Sequence, residues 1–169
     1  MEIGFLFHIL LDFSLAFVVA CCWGILFGTP ARILWIAGLL GGWAHAFRFV
    51  LLQFDVGLIS ATLIASLSVG VIGIFCSHKV YHPSVVFTMP ACITMIPGLY
   101  AYRTMLGSIK LTDMSASQLS AELIPEIMHN MMLTLSLLFT LAIGISIAAL
   151  LFRSKSVPET TRKNKRRRL

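Results

Sequence analysis

Formal charge is missing from most of this chain. None falls between Phe13 and Ala31, between Ile33 and Phe47, or between Val56 and Ser77. Charged residues make up 12% of the sequence, where a soluble domain needs about 25% to face water. A water-soluble fold is therefore excluded. Each uncharged stretch is close to the roughly 20 residues that a helix needs to cross the hydrocarbon core. Other absences narrow the chemistry. No G-x-x-x-x-G-K-[ST] loop is present, so the chain by itself has no ATP-driving site. Neither a G-x-S-x-G elbow nor an H-E-x-x-H pair supports an intramembrane hydrolase. Cysteine is scarce, and Cys21, Cys22, Cys76 and Cys92 have no zinc spacing; they are expected to be small apolar side chains within or beside spans. No metal or cofactor is expected.

What remains reads as an all-α integral membrane protein of about five helices. Span one runs near Ile3–Phe27 and ends at Gly28-Thr29-Pro30. It has no basic leader and is too long for a signal-peptide core, so it is expected to stay in the mature protein. Span two runs near Ile33–Leu52 and span three near Val56–Cys76. A polar knot, Ser77 to Pro83, leads to span four, near Ser84–Leu106. The loop Gly107–Ile124 follows, with Ser115 as a cap for a short interfacial helix. Pro125 suits the first turn of span five, which reaches Phe152. Residues 1–152 thus form the transmembrane domain, and 153–169 a basic tail expected to be disordered. A four-span arrangement, with one segment re-entrant, is the alternative.

The net charge of +6 sits mostly in that tail, which ends in Lys165-Arg166-Arg167-Arg168. Such a run faces anionic cytoplasmic lipid and sets topology. It is not read as a nucleic-acid arm. With the tail inside and an odd number of spans, the N-terminus lies outside. Arg32 and Lys79 then join the tail on the inner side, while Lys110, Asp113, Glu122 and Glu126 lie on the outer side. The expected location is a bacterial cytoplasmic (inner) membrane.

Ionisable residues within spans cost roughly 2.5–3.5 kcal/mol at a helix centre and so need a reason to be there. His8 and Asp12 share a face of span one, and His45 and Arg48 share a face of span two. Arg103 lies in span four. An acidic and a basic face on neighbouring helices can form a buried pair or line a polar path. Asp12 is the candidate proton-coupling or substrate-sensing carboxylate, and Arg48 the counter-charge for a substrate carboxylate. Arg48 also lies about one turn from its span's end, so snorkelling to the interface is the alternative. His8, close to that interface, reads as a solvated histidine.

Span four carries the strongest signal: Pro90, then Pro97-Gly98 and Tyr102. Proline removes a backbone donor and clashes with the preceding turn. Freed carbonyls at membrane depth are tolerated only inside protein or around a wet cavity, and transporters use such interrupted helices as substrate sites. A half-helix starting near Pro97 would offer free amides to an anion. A static packing kink is the plainer alternative. Gly38, Gly41, Gly42, Ser66, Gly70 and Gly73 form small-residue faces suited to close helix contact.

Taken in order, Asp12, Pro30-x-Arg32, Leu39-Leu40-Gly41, His45-x-x-Arg48, Gly70-x-x-Gly73, His82-Pro83, Pro90 and Ile96-Pro97-Gly98-x-x-x-Tyr102 resemble the small subunit of the split threonine/serine exporter family. Within it, the chain is similar to the smaller member of bacterial pairs associated with succinate export. The departures are Ala46-Phe47 between His45 and Arg48, and the arginine-rich tail. The resemblance implies a larger membrane partner and export of a small carboxylate, either a dicarboxylate or threonine and serine. Longer members resemble the two subunits fused, and an odd span count would make a fused partner an inverted repeat. A non-transporting scaffold is the competing reading. It would be preferred if Asp12→Asn and Arg48→Gln both left transport intact in a reconstituted pair.

Overall fold

A computed structural model describes residues 2–113 and 123–151 of the chain. The expected interfacial helix at Ser115 and the basic tail lie outside the described residues. The elements are α1 (Glu2–Leu26), α2 (Ala31–Gln53), α3 (Leu58–Val80), α4 (Val85–Ile93), α5 (Gly98–Asp113) and α6 (Leu123–Leu151). No strand occurs among the described residues. Four of the helices, α1, α2, α3 and α6, are long and apolar enough to cross a membrane. Neither α4, with 9 residues, nor α5, with 16, reaches that length alone. Together they make a candidate fifth span, bent by 54° at the break between them. The chain is a multi-pass membrane protein.

The centre of the bundle is α2. Its buried face is Ile33, Ile36, Ala37, Gly38, Leu40, Gly41, Gly42 and Ala44. Ala65 and Val69 of α3, Phe87, Ala91 and Cys92 of α4, Met95 and Leu141 of α6 close the core around it. The glycines set how near α1 can come. A Cβ on Gly41 would stand 2.5 Å from the Ala20 Cβ and 3.3 Å from the Ala16 carbonyl oxygen, and one on Gly42 would stand 2.9 Å from the Phe13 carbonyl oxygen. Without water to drive apolar association, such backbone approach is what holds membrane helices together. The small face of α3 divides its contacts: Ser66 meets Gly144 of α6, while Gly73 meets Thr88 of α4.

Two helix ends differ from the sequence expectation, for one physical reason. Span three was expected to stop at Cys76, yet α3 continues through the polar residues to Val80. His78 Nδ1 bonds the Ile74 carbonyl oxygen at 2.8 Å, and Ser77 Oγ donates to the His82 carbonyl oxygen at 2.6 Å. These side chains satisfy backbone acceptors at the helix end instead of breaking it. Likewise α5 runs seven residues past Leu106 to Asp113, and the expected loop does not begin at Gly107. Thr104, Ser108 and Thr112 each donate to the carbonyl four residues back, at 2.9, 2.8 and 3.0 Å. A loss of hydropathy marks where the membrane ends, and the helix need not end there. The cysteines also differ from one another: Cys92 is buried, Cys21 and Cys76 half-buried and Cys22 exposed, and none is bridged.

Tyr81 terminates α3 in the left-handed region at φ 58°, with 83% of its surface exposed. A side chain there costs about 1–2 kcal/mol that glycine avoids. Tyr81→Gly is therefore expected to stabilise the protein by about 1 kcal/mol, measured as a raised denaturation midpoint in detergent.

Candidate functional site

The site begins with what Pro97 does to span four. Its missing N–H and its ring stop the helix at Ile93. The chain then turns tightly, with Met95 N–H donating to Cys92, Ile96 N–H to Ile93 and Gly98 N–H to Ile96 at 3.0, 3.1 and 2.8 Å. A continuous helix would have bonded the carbonyls of Thr94 and Met95 to the amides four residues on. Here two side chains of α2 take those acceptors. His45 Nε2 lies 2.8 Å from the Thr94 oxygen, and Arg48 Nη1 donates to the Met95 oxygen at 3.3 Å. One turn separates the two side chains on α2, and one residue separates their acceptors.

The other edge of the His45 ring faces α1. Nδ1 lies 3.3 Å from both carboxylate oxygens of Asp12, with the two side chains 19% and 35% exposed. The glycine contacts of α2 explain this meeting, because Gly42 lies against the Phe13 backbone, next to Asp12. His45 thus has an acceptor at each nitrogen. A neutral imidazole donates from one nitrogen and accepts at the other. Nε2 must carry a proton to bond Thr94, so the Asp12–His45 contact requires a second, shared proton. That proton resides either on an imidazolium facing a carboxylate or on a carboxylic acid facing a neutral ring. Remove it, and a carboxylate confronts the Nδ1 lone pair. The imidazole therefore ties α1 to the broken helix through both of its nitrogens.

Arg48 completes the constellation without an ion pair to Asp12: among the described residues, Asp12–His45 is the salt bridge within 4 Å. Asp12 and Tyr100 nevertheless lie close enough to interact electrostatically with the guanidinium. Its hydrogen bond runs to the break, within the protein, and not to the end of α2. His8 is exposed, its ring 6.2 Å from that of Phe7.

The remaining sequence candidates are placed differently. Pro97 is buried at the break. Pro90 is buried inside α4 and deprives the Val86 carbonyl of its helical donor, and Thr29 Oγ1 supplies one at 3.0 Å. Pro90 thereby docks the start of α4 onto the α1–α2 turn, away from the charged cluster. Gly98 has no left-handed backbone, and a Cβ there would meet nothing within 4 Å. The break belongs to Pro97. Tyr102 is 62% exposed on α5, whereas Tyr100 is half-buried and close enough to Arg48 to interact with it electrostatically. The carbonyls of Thr94 and Met95 and the ring of Tyr100 were not foreseen from the sequence. The amide that Pro97 lacks would have bonded Ile93, four residues back; Thr94 and Met95 lose their helical donors because the chain turns there, which the sequence alone does not specify.

No solved structure matches this chain. A family model described as Threonine/Serine exporter, ThrE, does match it over residues 12–151. The match begins at Asp12 and includes His45, Arg48 and the whole broken helix. The chain belongs to the threonine/serine exporter family, a family of transporters.

Proposed function

We propose that this protein is one part of a secondary exporter for small carboxylate metabolites, either succinate-like dicarboxylates or threonine and serine, working with a larger membrane partner. The observation that carries the reading is the pair of bonds from His45 and Arg48 to the Thr94 and Met95 carbonyls at the break. Side chains that complete a broken helix can also release it, and a broken helix that opens is a gate. A substrate carboxylate competes with the Met95 carbonyl for Arg48, since a charged, bidentate acceptor binds guanidinium more strongly than a peptide oxygen does. Proton transfer to or from the Asp12–His45 pair acts on the neighbouring carbonyl. Substrate and proton therefore bear on adjacent residues of one hinge.

The proposed orientation puts the N-terminus outside and the basic tail in the cytoplasm, against anionic lipid of a bacterial inner membrane. In that orientation Arg32, at the start of α2, and Lys79, at the end of α3, fall on the cytoplasmic side. With α4 and α5 counted as one span the crossings are odd in number, so a partner of like topology would be inverted relative to this chain.

The test is co-expression with the larger partner, with efflux of succinate and of threonine measured in parallel. Arg48→Gln is expected to reduce efflux of the transported compound at least about tenfold, the loss of one charge-assisted hydrogen bond. Undiminished efflux by Arg48→Gln at wild-type expression would favour the scaffold.

A further inference from the structure

A groove of about 590 Å³ lies between α2 and α3, and none of Asp12, His45 and Arg48 lines it. Its α2 wall carries Trp35, Leu39 and Trp43, and its α3 wall carries Ile72, Cys76 and Lys79. A short turn joins the two helices, which run antiparallel, so Trp35 and Lys79 mark one end of the groove and Trp43 and Ile72 the other. From end to end the walls cover about 10–12 Å of helix. One leaflet of the hydrocarbon core is about 15 Å deep. Lys79 lies one residue from the end of α3, and Trp35 about one turn from the start of α2. That is the level of headgroups and interfacial tryptophans. The groove thus opens at one membrane surface and stops near the midplane. Its inner end is closed: Trp43 Nε1 donates to Ser68 Oγ of α3 at 3.3 Å, and the Trp43 ring stacks on Phe47, one turn further along α2, with centroids 5.5 Å apart. Trp35 Nε1 donates to the Arg32 carbonyl oxygen at 2.9 Å. Both indole donors are therefore satisfied within the protein, and Lys79 is the charged group of the lining. Among the described residues, no carboxylate comes within 4 Å of Lys79, or of Arg32 at the same end of α2.

We propose that this groove holds one acyl chain of an anionic phospholipid, with the lipid phosphate against Lys79. The shape selects that occupant. A polar solute would find no bonding groups along the walls, and burying it there unpaired is costly. A spanning helix of another protein crosses both leaflets, whereas the groove ends at the Trp43–Ser68 bridge. An acyl chain fills one leaflet and brings its own headgroup to the surface end. A cation there, without a carboxylate of its own, favours an anionic headgroup over a zwitterionic one, as basic pockets between membrane helices do. In the proposed orientation the lipid belongs to the cytoplasmic leaflet. The site goes beyond the exporter reading and does not depend on it.

The test reads contact between lipid and the groove's own tryptophans. Of the three tryptophans in the sequence, Trp23 lies outside the groove, so Trp23→Phe leaves Trp35 and Trp43 as the fluorophores. The full chain carrying that change is reconstituted, alone and with the larger partner, into phosphatidylcholine vesicles containing brominated phosphatidylglycerol or brominated phosphatidylcholine. Phosphatidylglycerol is expected to quench at about fivefold lower mole fraction, the effect of one basic residue near a membrane surface. Lys79→Gln should bring the two lipids within about twofold of each other. Lys110→Gln, an equal loss of charge outside the groove, should leave the preference intact. Lys79 is exposed, so folding is not at stake. Ile72→Phe narrows the groove and should abolish the preference with Lys79 still in place. Equal quenching by the two lipids before any groove substitution, or a preference that survives Lys79→Gln or Ile72→Phe, overturns the proposal. So does shielding of both tryptophans from both lipids, which would put a protein segment, of the partner or of a second copy, in the groove. Efflux does not enter the readout, so a chain that exports nothing would overturn the exporter reading and leave the lipid site standing.

Discussion

Asp12→Asn is expected to leave substrate efflux running downhill while abolishing its response to an imposed proton gradient. Asparagine is nearly isosteric with aspartate and can still bond the His45 ring, either as donor or as acceptor. What it cannot do is share the exchangeable proton that the Asp12–His45–Thr94 geometry requires. The hinge then opens and closes without a proton to bias it, and the exporter becomes a facilitator. His45→Ala goes further. It strips Asp12 of its partner and leaves the Thr94 carbonyl without a side-chain donor at membrane depth. Losing charge-assisted bonds worth about 3 kcal/mol shifts a two-state equilibrium about 100-fold, and downhill and driven efflux fall together. Vesicle efflux with and without a pH gradient separates the two variants. If Asp12→Asn retained gradient-driven efflux, the proton would have to be carried elsewhere.

The contrast between these variants depends on geometry that the sequence expressed unevenly. The spans were legible because the hydrocarbon core tolerates so few charges that their absence from Phe13–Ala31 or Val56–Ser77 has a single reading. The break was legible too, since Pro97 has only one effect on a helix. Helix ends were less so: Ser77, His78, Ser108 and Thr112 signal departure from the apolar core, and their side chains then cap or bond the helix they were expected to end. Partnerships were the hardest to foresee. The spacing of His45 and Arg48 puts them on one face, but α2 has several neighbours. Only the packed positions of α1 and α4 show that His45 is shared between Asp12 and a carbonyl. Tyr102 was selected for its place in a motif and is 62% exposed, while Tyr100, two residues earlier, is half-buried and interacts electrostatically with Arg48. A difference of two residues is about 200° around a helix, so a motif names a segment before it names which side of the helix is used.

The register of α1 against α2 is what allows Asp12 to find His45, and it makes the largest stability prediction. Gly41→Ala places a methyl group 2.5 Å from the Ala20 Cβ, with the Ala16 carbonyl oxygen at 3.3 Å and the Ala91 Cα at 3.7 Å. Three helices enclose that point, and two of the three facing atoms are backbone, so no rotamer change relieves the clash. Overpacking of this kind costs about 1–3 kcal/mol, and a valine there would cost more. Gly41→Ala should lower the folded yield and the denaturation midpoint in detergent. It should also reduce efflux in the protein that does fold, because α1 can make room only by carrying Asp12 away from His45. Ala20→Gly in the same chain removes the nearest facing atom and is expected to restore a good part of both. Gly98→Ala is the matched control, since a Cβ at the break meets nothing; its stability should stay within about 0.5 kcal/mol of wild type. Should Gly98→Ala nonetheless lose efflux while folding normally, the space beside Gly98 would be needed by something that passes it, and the break would be a path as well as a hinge.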